Sequence, residues 1–303
     1  MGVTDSNEIR RILVPVDFSE ASRVGTRLAL SFAERVGALL DFVYVVGPPG
    51  LPEWGYAHLS AREAKAREQA RLRFPAFLTS LQVPEAYVTS YEAISGGVVE
   101  TVVARARELQ SDAIVAISHG APFFPIAAVG AVTEGLARQS PCPLLSFHYD
   151  PQAHGTPELV EFEPKKILVP TDFSETSAAA FPYAAAIARS FHASLTTLYV
   201  APENAPWEAE GSGDPITWAV DEAKKRLPQF RATALSSHTP SEAVALRGNP
   251  AAEIVDYADA RGFDLMVMTT HGHRGFQRLL LGSVAEKVIR HTKTPTFIVR
   301  RDA

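Results

Sequence analysis

The chain has 303 residues, 46% of them hydrophobic and 21% charged, a composition typical of a globular protein with room for two domains of about 150 residues each. Its formal net charge of −5 provides no positive field to hold a polyanion, so we expect no nucleic acid partner. No apolar run approaches the roughly 20 residues of a membrane-spanning helix, and the first residues lack the apolar segment of a secretory signal. Cys142 is the only cysteine, which excludes an internal disulfide. These features predict a cytoplasmic protein without a membrane partner.

An internal repeat divides the chain into two halves. RRILVPVDFSEAS from Arg10 returns as KKILVPTDFSETS from Lys165, and DAIVAISHG from Asp112 returns as DLMVMTTHG from Asp264. Repeats this far apart indicate duplication of a whole domain, since each copy has room for its own core. We expect a first domain over 1–149, a proline-interrupted linker over 150–163 and a second domain over 164–303.

Short aliphatic strands alternate with longer helical segments in each half. In the second half the predicted strands are KILVP, LTTLYV, RATALSS, DLMVMT and TFIVR, and the predicted helices span about 174–190, 216–228, 250–261 and 283–292. This alternation predicts two tandem doubly wound α/β domains, each with a five-stranded parallel sheet flanked by helices, as in Rossmann-like folds. Ligands of such sheets bind beyond the carboxyl ends of the strands, which here means after the first and fourth strands of a domain.

The segment after the first strand of the second domain carries Pro170, Thr171 and Asp172. A carboxylate at this point can accept hydrogen bonds from an amino group or a ribose hydroxyl. The same stretch also fits helix capping, either as a capping box from Asp172 to Glu175 or with Ser174 as the N-cap. Spacing alone leaves ligand contact and capping open.

The segment after the fourth strand reads TTHGHRGFQRLLLGS, from Thr269 to Ser283. Gly272 and Gly275 allow a ligand to approach the main chain closely, and Gly282-Ser283 begins a helix whose N–H groups and dipole favour a phosphate. The alternative is a capping box in which Ser283 caps the helix and a glutamate three residues later reaches back.

These motifs resemble those of the universal stress proteins. Nucleotide-binding members of that family carry a glycine, two residues, a glycine, nine residues, and then glycine followed by serine or threonine. Gly272 and Gly282-Ser283 match the latter part of this pattern, whereas Thr269 stands at the first glycine. PTDFSE at 170–175, the strand end at Val200 and RGNPAAEIV at 247–255 extend the resemblance over nearly all of both halves, which implies a tandem universal stress protein.

The resemblance implies the adenine nucleotide alpha hydrolase-like version of the Rossmann-like fold, with an adenine nucleotide in the second domain. ATP is the first expectation and ADP or AMP the alternatives, with Mg²⁺ bound through the phosphates and not by a metal site of the protein. Asp172 and the backbone of Val200 would contact adenine, Pro170 and the Thr269 region would lie near the ribose, and the final glycine motif would hold the phosphates. The predicted nucleotide-binding residues are Pro170, Thr171, Asp172, Val200, Thr269, Gly272, His273, Arg274, Gly275, Gly282, Ser283 and Val284.

The first domain retains only part of this pattern. Its stretch ISHGAPFFPIAAVGA has Ile117 in place of Thr269 and Ala131 in place of Ser283. The loss of the serine removes a side-chain phosphate donor, so we expect the triphosphate site to be lost and an apolar interface role to replace it. Asp17 is kept, which leaves adenine binding there open.

Three functions follow as hypotheses. The first is a stress-response regulator that binds ATP in the second domain; the alternatives are a slow ATPase or phosphotransferase, and an interaction module without nucleotide. No catalytic residue is identified, because no general base or phosphoryl clamp stands at a known spacing.

The fifth strands, CPLLSFH and TPTFIVR, are predicted to lie at sheet edges, where exposed backbone groups can pair with another strand. We therefore expect an intramolecular pseudo-dimer of the two domains and a homodimer of the chain.

Overall fold

The computed structural model describes residues 8–47, 59–119, 131–152, 155–203, 220–222, 224–226, 228, 241–270 and 281–300. From residue 9 onward, contacts divide these residues into an amino-terminal unit that ends at residue 162 and a carboxy-terminal unit that begins at residue 163. Each unit contains parallel strands separated by helices, which confirms the predicted doubly wound α/β fold.

The amino-terminal unit alternates strands and helices along the chain. Its elements are β1 (Arg11–Val16), α1 (Glu20–Val36), β2 (Leu39–Val46), α2 (Leu59–Ser80), β3 (Val88–Ser95), α3 (Val98–Glu108), β4 (Ala113–His119), α4 (Ala131–Gln139) and β5 (Leu144–Tyr149). The strands lie in the order β3-β2-β1-β4-β5, and every neighbouring pair is parallel. The strand order therefore reverses between β1 and β4, where a ligand crevice is expected.

The carboxy-terminal unit has the same architecture. Its elements are β6 (Lys166–Thr171), α5 (Glu175–Ala178), α6 (Ala180–Phe191), β7 (Ser194–Pro202), β8 (Ser241–Gly248), α7 (Pro250–Arg261), β9 (Leu265–Thr269), α8 (Ser283–His291) and β10 (Thr296–Val299). The described residues between 220 and 228 are helical and are called the 220–228 segment. The parallel order β10-β9-β6-β7-β8 reverses between β6 and β9.

The duplication extends to the way the first strand of each unit is held. Oδ2 of Asp112 accepts the backbone N–H groups of Arg10 and Arg11, each at 2.9 Å. Oδ2 of Asp264 does the same at the start of β6, at 2.8 and 2.9 Å. A carboxylate that accepts two backbone N–H groups makes charge-assisted bonds, which fixes the start of the first strand against the start of the fourth.

The predicted helix 174–190 is wrong in one respect, because the structure divides it into α5 and α6 at Ala179. Pro182 explains the division. Proline has no N–H to donate to the carbonyl four residues earlier, and its ring clashes with that carbonyl. The residue four positions earlier is Ala178, where α5 ends. The predicted helix 250–261 matches α7, which begins at Pro250 after its N-cap, Asn249.

The third strand of the carboxy-terminal unit is β8, which sequence analysis did not predict. RATALSS, the predicted strand at 231–237, lies outside the described residues, as does the start of the helix predicted at 216–228. β8 reads SEAVALRG, and its edge position in the sheet order accounts for a pattern with few β-branched residues and several polar ones.

The segment that follows β5 packs against the amino-terminal unit. Pro157–Leu159 forms a short 3-10 helix, and Glu158 makes an ion pair with Arg23 of α1. Phe162 is 5% exposed and lies against Phe147, with ring centroids 5.0 Å apart. The part of the predicted linker from Pro157 to Phe162 is therefore built into the amino-terminal unit.

In the part of the chain that the structure describes, no helix is both long enough and apolar enough to cross a membrane.

Candidate functional site

The topology brings three strand ends of the carboxy-terminal unit to one edge. β6 pairs with β9 on one side and with β7 on the other, and Thr171 lies opposite Tyr199 in the β6–β7 register. Because parallel strands point the same way, the segments after β6 and β9 leave the sheet at the same edge. Thr171 and Thr269 are both buried at these strand ends, and Val200 is buried on β7. The structure thus brings together the predicted residues of β6, β7 and β9.

The loop after β6 turns sharply at Phe173, whose φ is 63°. The N–H of Phe173 donates to Oγ1 of Thr171 at 3.0 Å. Oδ1 of Asp172 accepts the N–H of Ser174 at 3.0 Å and its hydroxyl at 2.5 Å. Asp172 is half-buried and held at a fixed point beside the strand ends.

Of the two capping interpretations of this loop, the one with Ser174 as the N-cap is confirmed. Ser174 is the N-cap of α5, and its side chain accepts the N–H of Ser177. The capping box from Asp172 to Glu175 is therefore wrong, because Asp172 bonds to the cap residue and does not itself cap the helix. Contact between Asp172 and a ligand stays a prediction.

The ends of the predicted glycine loop meet at the carboxyl end of β9. The N–H of Gly282 donates to the carbonyl of Thr270 at 2.7 Å, and the N–H of Thr270 donates to the carbonyl of Val299 at 3.1 Å. Thr270 is only 2% exposed, so this junction is anchored in the sheet. Gly272, His273, Arg274 and Gly275 lie outside the described residues.

The predicted capping box at the start of α8 is wrong. The N-cap is Gly282, which has no side chain to accept a hydrogen bond, and Ser283 is the first helical residue. The carboxylate of Glu286 makes an ion pair with Arg290 at 2.9 Å. The first turn of α8 therefore presents N–H groups that no cap side chain satisfies, together with the positive end of the helix dipole.

Backbone conformation does not explain the glycine at position 282. Gly282 has φ −62° and ψ 143°, an extended conformation that any residue adopts. A glycine that is not needed for its φ is compatible with close approach of a ligand to the main chain. Ser283 and Val284 follow it and are exposed at the surface.

The equivalent loop of the amino-terminal unit keeps the aspartate. Phe18 has φ 62°, Ser19 caps α1, and Oδ1 of Asp17 accepts the N–H of Ser19 at 2.9 Å. At the end of β4, Ile117 packs on α1, where a Cβ placed on Gly25 would come within 3.1 Å of its Cγ2. Apolar packing thus takes over at the position equivalent to Thr269.

The start of α4, which corresponds to the start of α8, also differs between the two units. Gly120 and Gly130 lie outside the described residues, and α4 begins at Ala131, the position equivalent to Ser283. A methyl group stands there instead of a hydroxyl, so this helix start has no side-chain donor at that position.

Comparison with known proteins identifies the family of both units. The model of the universal stress protein family matches residues 8–148 and 163–300, which covers both units. The chain belongs to the universal stress protein family. A universal stress protein of Methanocaldococcus jannaschii is 37% identical over 141 residues, covering 45% of this chain and 82% of the relative. A tandem relative from Mycobacterium tuberculosis is 26% identical over 316 residues and covers 98% of this chain and 99% of its own length.

A solved structure supports the fold over the whole chain. The crystal structure of a universal stress protein from Archaeoglobus fulgidus covers 98% of this chain and 99% of its own, with a TM-score of 0.65 and 20% identity. At this identity the likeness shows the fold alone. The tandem arrangement of two universal stress protein domains, which the repeat predicted, is confirmed by the two family matches and the full-length relative.

Sequence analysis assigned no role to Phe173, Tyr199 and Arg226, which are in contact through the Phe173 ring. The ring of Phe173 lies 4.8 Å from that of Tyr199, and the guanidinium of Arg226 stands 4.6 Å above the Phe173 ring. Burial raises the pKa of Tyr199 above its ordinary value, and the Asp172 charge adds to this while Arg226 opposes it. The repeat contained a signal for two of them, because Phe18 and Tyr44 occupy the matching positions in the first half.

Proposed function

We propose that the carboxy-terminal unit binds an adenine nucleotide, with ATP as the first candidate, and that the protein acts as a nucleotide-responsive regulator within the stress-response family. The observation that carries the proposal is the start of α8. A helix of nine residues begins at a glycine without a side-chain cap, and Gly282 is bonded to the end of β9 beside the Asp172 loop.

The phosphates would lie at the first turn of α8. Backbone N–H groups at a helix start are suited to phosphate oxygens, and the hydroxyl of Ser283 would add a donor. No cap side chain competes for these N–H groups, in contrast to α1 and α5, where serine side chains occupy the equivalent positions.

The adenine would lie between the Asp172 loop and the end of β7. The Asp172 carboxylate is a hydrogen-bond acceptor suited to an exocyclic amino group, and Val200 offers main-chain groups and an apolar side chain. Among the described residues, no group of three histidine, cysteine or acidic side chains is arranged to hold a metal ion. Mg²⁺ would arrive with the nucleotide, because phosphate oxygens and water suit this ion better than a cage made only of protein ligands.

Two measurements on the purified protein test this proposal. Heat denaturation followed by mass spectrometry of the released fraction should identify an adenine nucleotide that copurifies with the chain. Calorimetric titration of ATP should show saturable binding to the wild type and strong loss in Gly282→Val, because the branched side chain blocks approach to the N–H groups. Gly130→Val, in the first half, is the matched control and should bind as the wild type does.

The outcomes separate the competing functions. Saturable ATP binding that Gly282→Val does not alter would contradict the site. No binding by any variant would favour an interaction module without nucleotide. Phosphate release measured in the same samples distinguishes a binder from a slow ATPase, and we expect ATP to remain intact over the titration.

A further inference from the structure

We propose that Phe173, Tyr199 and Arg226 form a positioning cluster that holds the Asp172 carboxylate in place for nucleotide binding. The inference rests on the proposed function of the carboxy-terminal unit. It assigns a role to Phe173, the aromatic residue of the PTDFSE segment, and to Tyr199 and Arg226, which lie outside the motifs. The cluster connects the loop after β6, the end of β7 and the 220–228 segment.

The backbone at Phe173 needs support from its surroundings. Its φ of 63° lies in the left-handed region, where Cβ of a residue with a side chain comes too close to the following carbonyl oxygen. A bulky aromatic residue stays in that region only where surrounding contacts hold it there. The turn that results allows Oδ1 of Asp172 to accept both hydrogen bonds from Ser174.

The Phe173 ring contacts both Tyr199 and Arg226. Phe173 packs on Tyr199 with an angle of 31° between the rings, and Tyr199 directly precedes Val200, the predicted adenine contact. Arg226 covers the Phe173 ring at 4.6 Å, a distance at which a guanidinium is attracted to an aromatic face. The ring thus ties the Asp172 loop to the strand that would hold the other side of the base.

The cluster is repeated in the amino-terminal unit. Phe18 also has a positive φ, of 62°, and its ring stacks on Tyr44 at 5.0 Å. Arg73 stands 4.3 Å above the Phe18 ring. Phe74 and Phe77 pack on Phe18 as well, at 5.1 and 5.2 Å. The same arrangement of an aromatic pair and an arginine lies next to Asp17, and in that unit α2 supplies two additional aromatic rings.

Arg226 offers the cleanest test because its side chain is exposed, so its replacement leaves the core intact. We expect Arg226→Gln to weaken binding of ATP, ADP and AMP by the same factor, about two- to fivefold, from loss of the cation–π contact. Arg226→Lys should restore most of the affinity because it keeps a cation above the ring. Phe173→Gly, which favours the positive φ but removes the ring, should weaken the same three nucleotides at least as much.

The experiment is a calorimetric titration of the full chain with each nucleotide and with inorganic tripolyphosphate, alongside thermal unfolding. The cluster positions Asp172, which would contact the adenine, so tripolyphosphate binding should stay unchanged in Arg226→Gln. Arg73 belongs to the amino-terminal unit, so Arg73→Gln should bind ATP as the wild type does. If Arg226→Gln loses affinity for the nucleotides and for tripolyphosphate by the same factor and also has a lower Tm, the cluster has a structural role only. Wild-type affinity in both Arg226→Gln and Phe173→Gly would overturn the cluster while leaving the proposed function in place, and absence of ATP binding by the wild type would overturn both.

Discussion

At the scale of single residues, neighbouring side chains decide which role a motif residue takes. Asp172 and Ser283 both fit capping boxes in the sequence, yet the structure gives the caps to Ser174 and Gly282. In each loop more than one residue fits the capping pattern. Only the backbone angles show which residue is the last extended one before the helix. The sequence therefore predicted the location of both helix starts, but not which atoms remain available at them.

Cys142 provides a residue-scale prediction about reactivity. Burial raises the pKa of its thiol to about 11, and the side chain is only 6% exposed. At pH 8 the folded protein should therefore resist alkylation by iodoacetamide, because the thiolate is the reactive form. The neutral thiol is favoured on folding, so its contribution to stability is present below pH 9.0 and declines as the pH rises through about 11.

Labelling followed by mass spectrometry checks this prediction. The same protein in guanidinium chloride is the control and should be labelled completely. Stoichiometric labelling of the folded chain at pH 8 would show that the thiol is accessible and contradict the burial.

At the scale of elements, the two units carry different residues at corresponding positions of a helix and of the fourth strand. In the amino-terminal unit α1 has Gly25 where it meets Ile117 of β4. The positions that correspond in the repeat are Ala180 and Thr269. The first unit combines a glycine with a large aliphatic side chain, and the second combines an alanine with a smaller polar one.

We predict that Gly25 and Ile117 are energetically coupled. A Cβ at position 25 would lie 3.1 Å from Cγ2 of Ile117, which is closer than ordinary van der Waals contact. Gly25→Ala should therefore be less favourable in the wild type than in an Ile117→Ala background, by about 1 kcal/mol. Chemical denaturation of the two single variants and the double variant measures the coupling. Additive effects would show that α1 shifts freely relative to β4.

The segment after β5 leads to a second element-scale prediction. Phe162 packs between Phe32 and Phe147, and its N–H donates to Oγ of Ser31 at 2.9 Å. Phe162→Ala should destabilise the amino-terminal unit by about 3 kcal/mol, because the ring leaves a cavity. Hydrogen exchange should locate the effect in α1 and β5. Leu159→Ala is the control, since Leu159 is 80% exposed, and a large effect there would contradict this assignment.

Elements with strong local signals were predictable, and those shaped by tertiary context were not. Asn249-Pro250 marked the start of α7 because capping and proline preference act within a few residues. The division between α5 and α6 also has a local cause, Pro182, which the helical pattern around it concealed. β8 lacks such a signal, since an edge strand with mixed exposure does not show the alternation or the apolar run that marks a strand.

At the scale of the whole molecule, the chain combines one unit with an uncapped helix start and one in which the corresponding serine is lost. Within its own unit, β5 ends one strand order and β10 ends the other. A terminal strand offers backbone groups to a further strand. The prediction that the two halves associate as a pseudo-dimer, with homodimerisation of the chain, follows from these edges.

Separate expression of residues 1–162 and 163–303 tests that association. We expect the purified halves to form a complex when mixed, detected by light scattering on a sizing column. The full chain, analysed on the same column, reports homodimerisation and serves as the size reference. Halves that remain monomeric at micromolar concentrations would contradict the pseudo-dimer.

We propose that only the carboxy-terminal unit binds the nucleotide. The most direct test of this proposal is the stoichiometry of ATP binding to the full chain by calorimetric titration, with Asp172→Ala and the matched Asp17→Ala. We expect one ATP per chain, with binding lost in Asp172→Ala and unchanged in Asp17→Ala. Two ATP per chain, or one that disappears with Asp17→Ala and survives Asp172→Ala, would contradict the proposal.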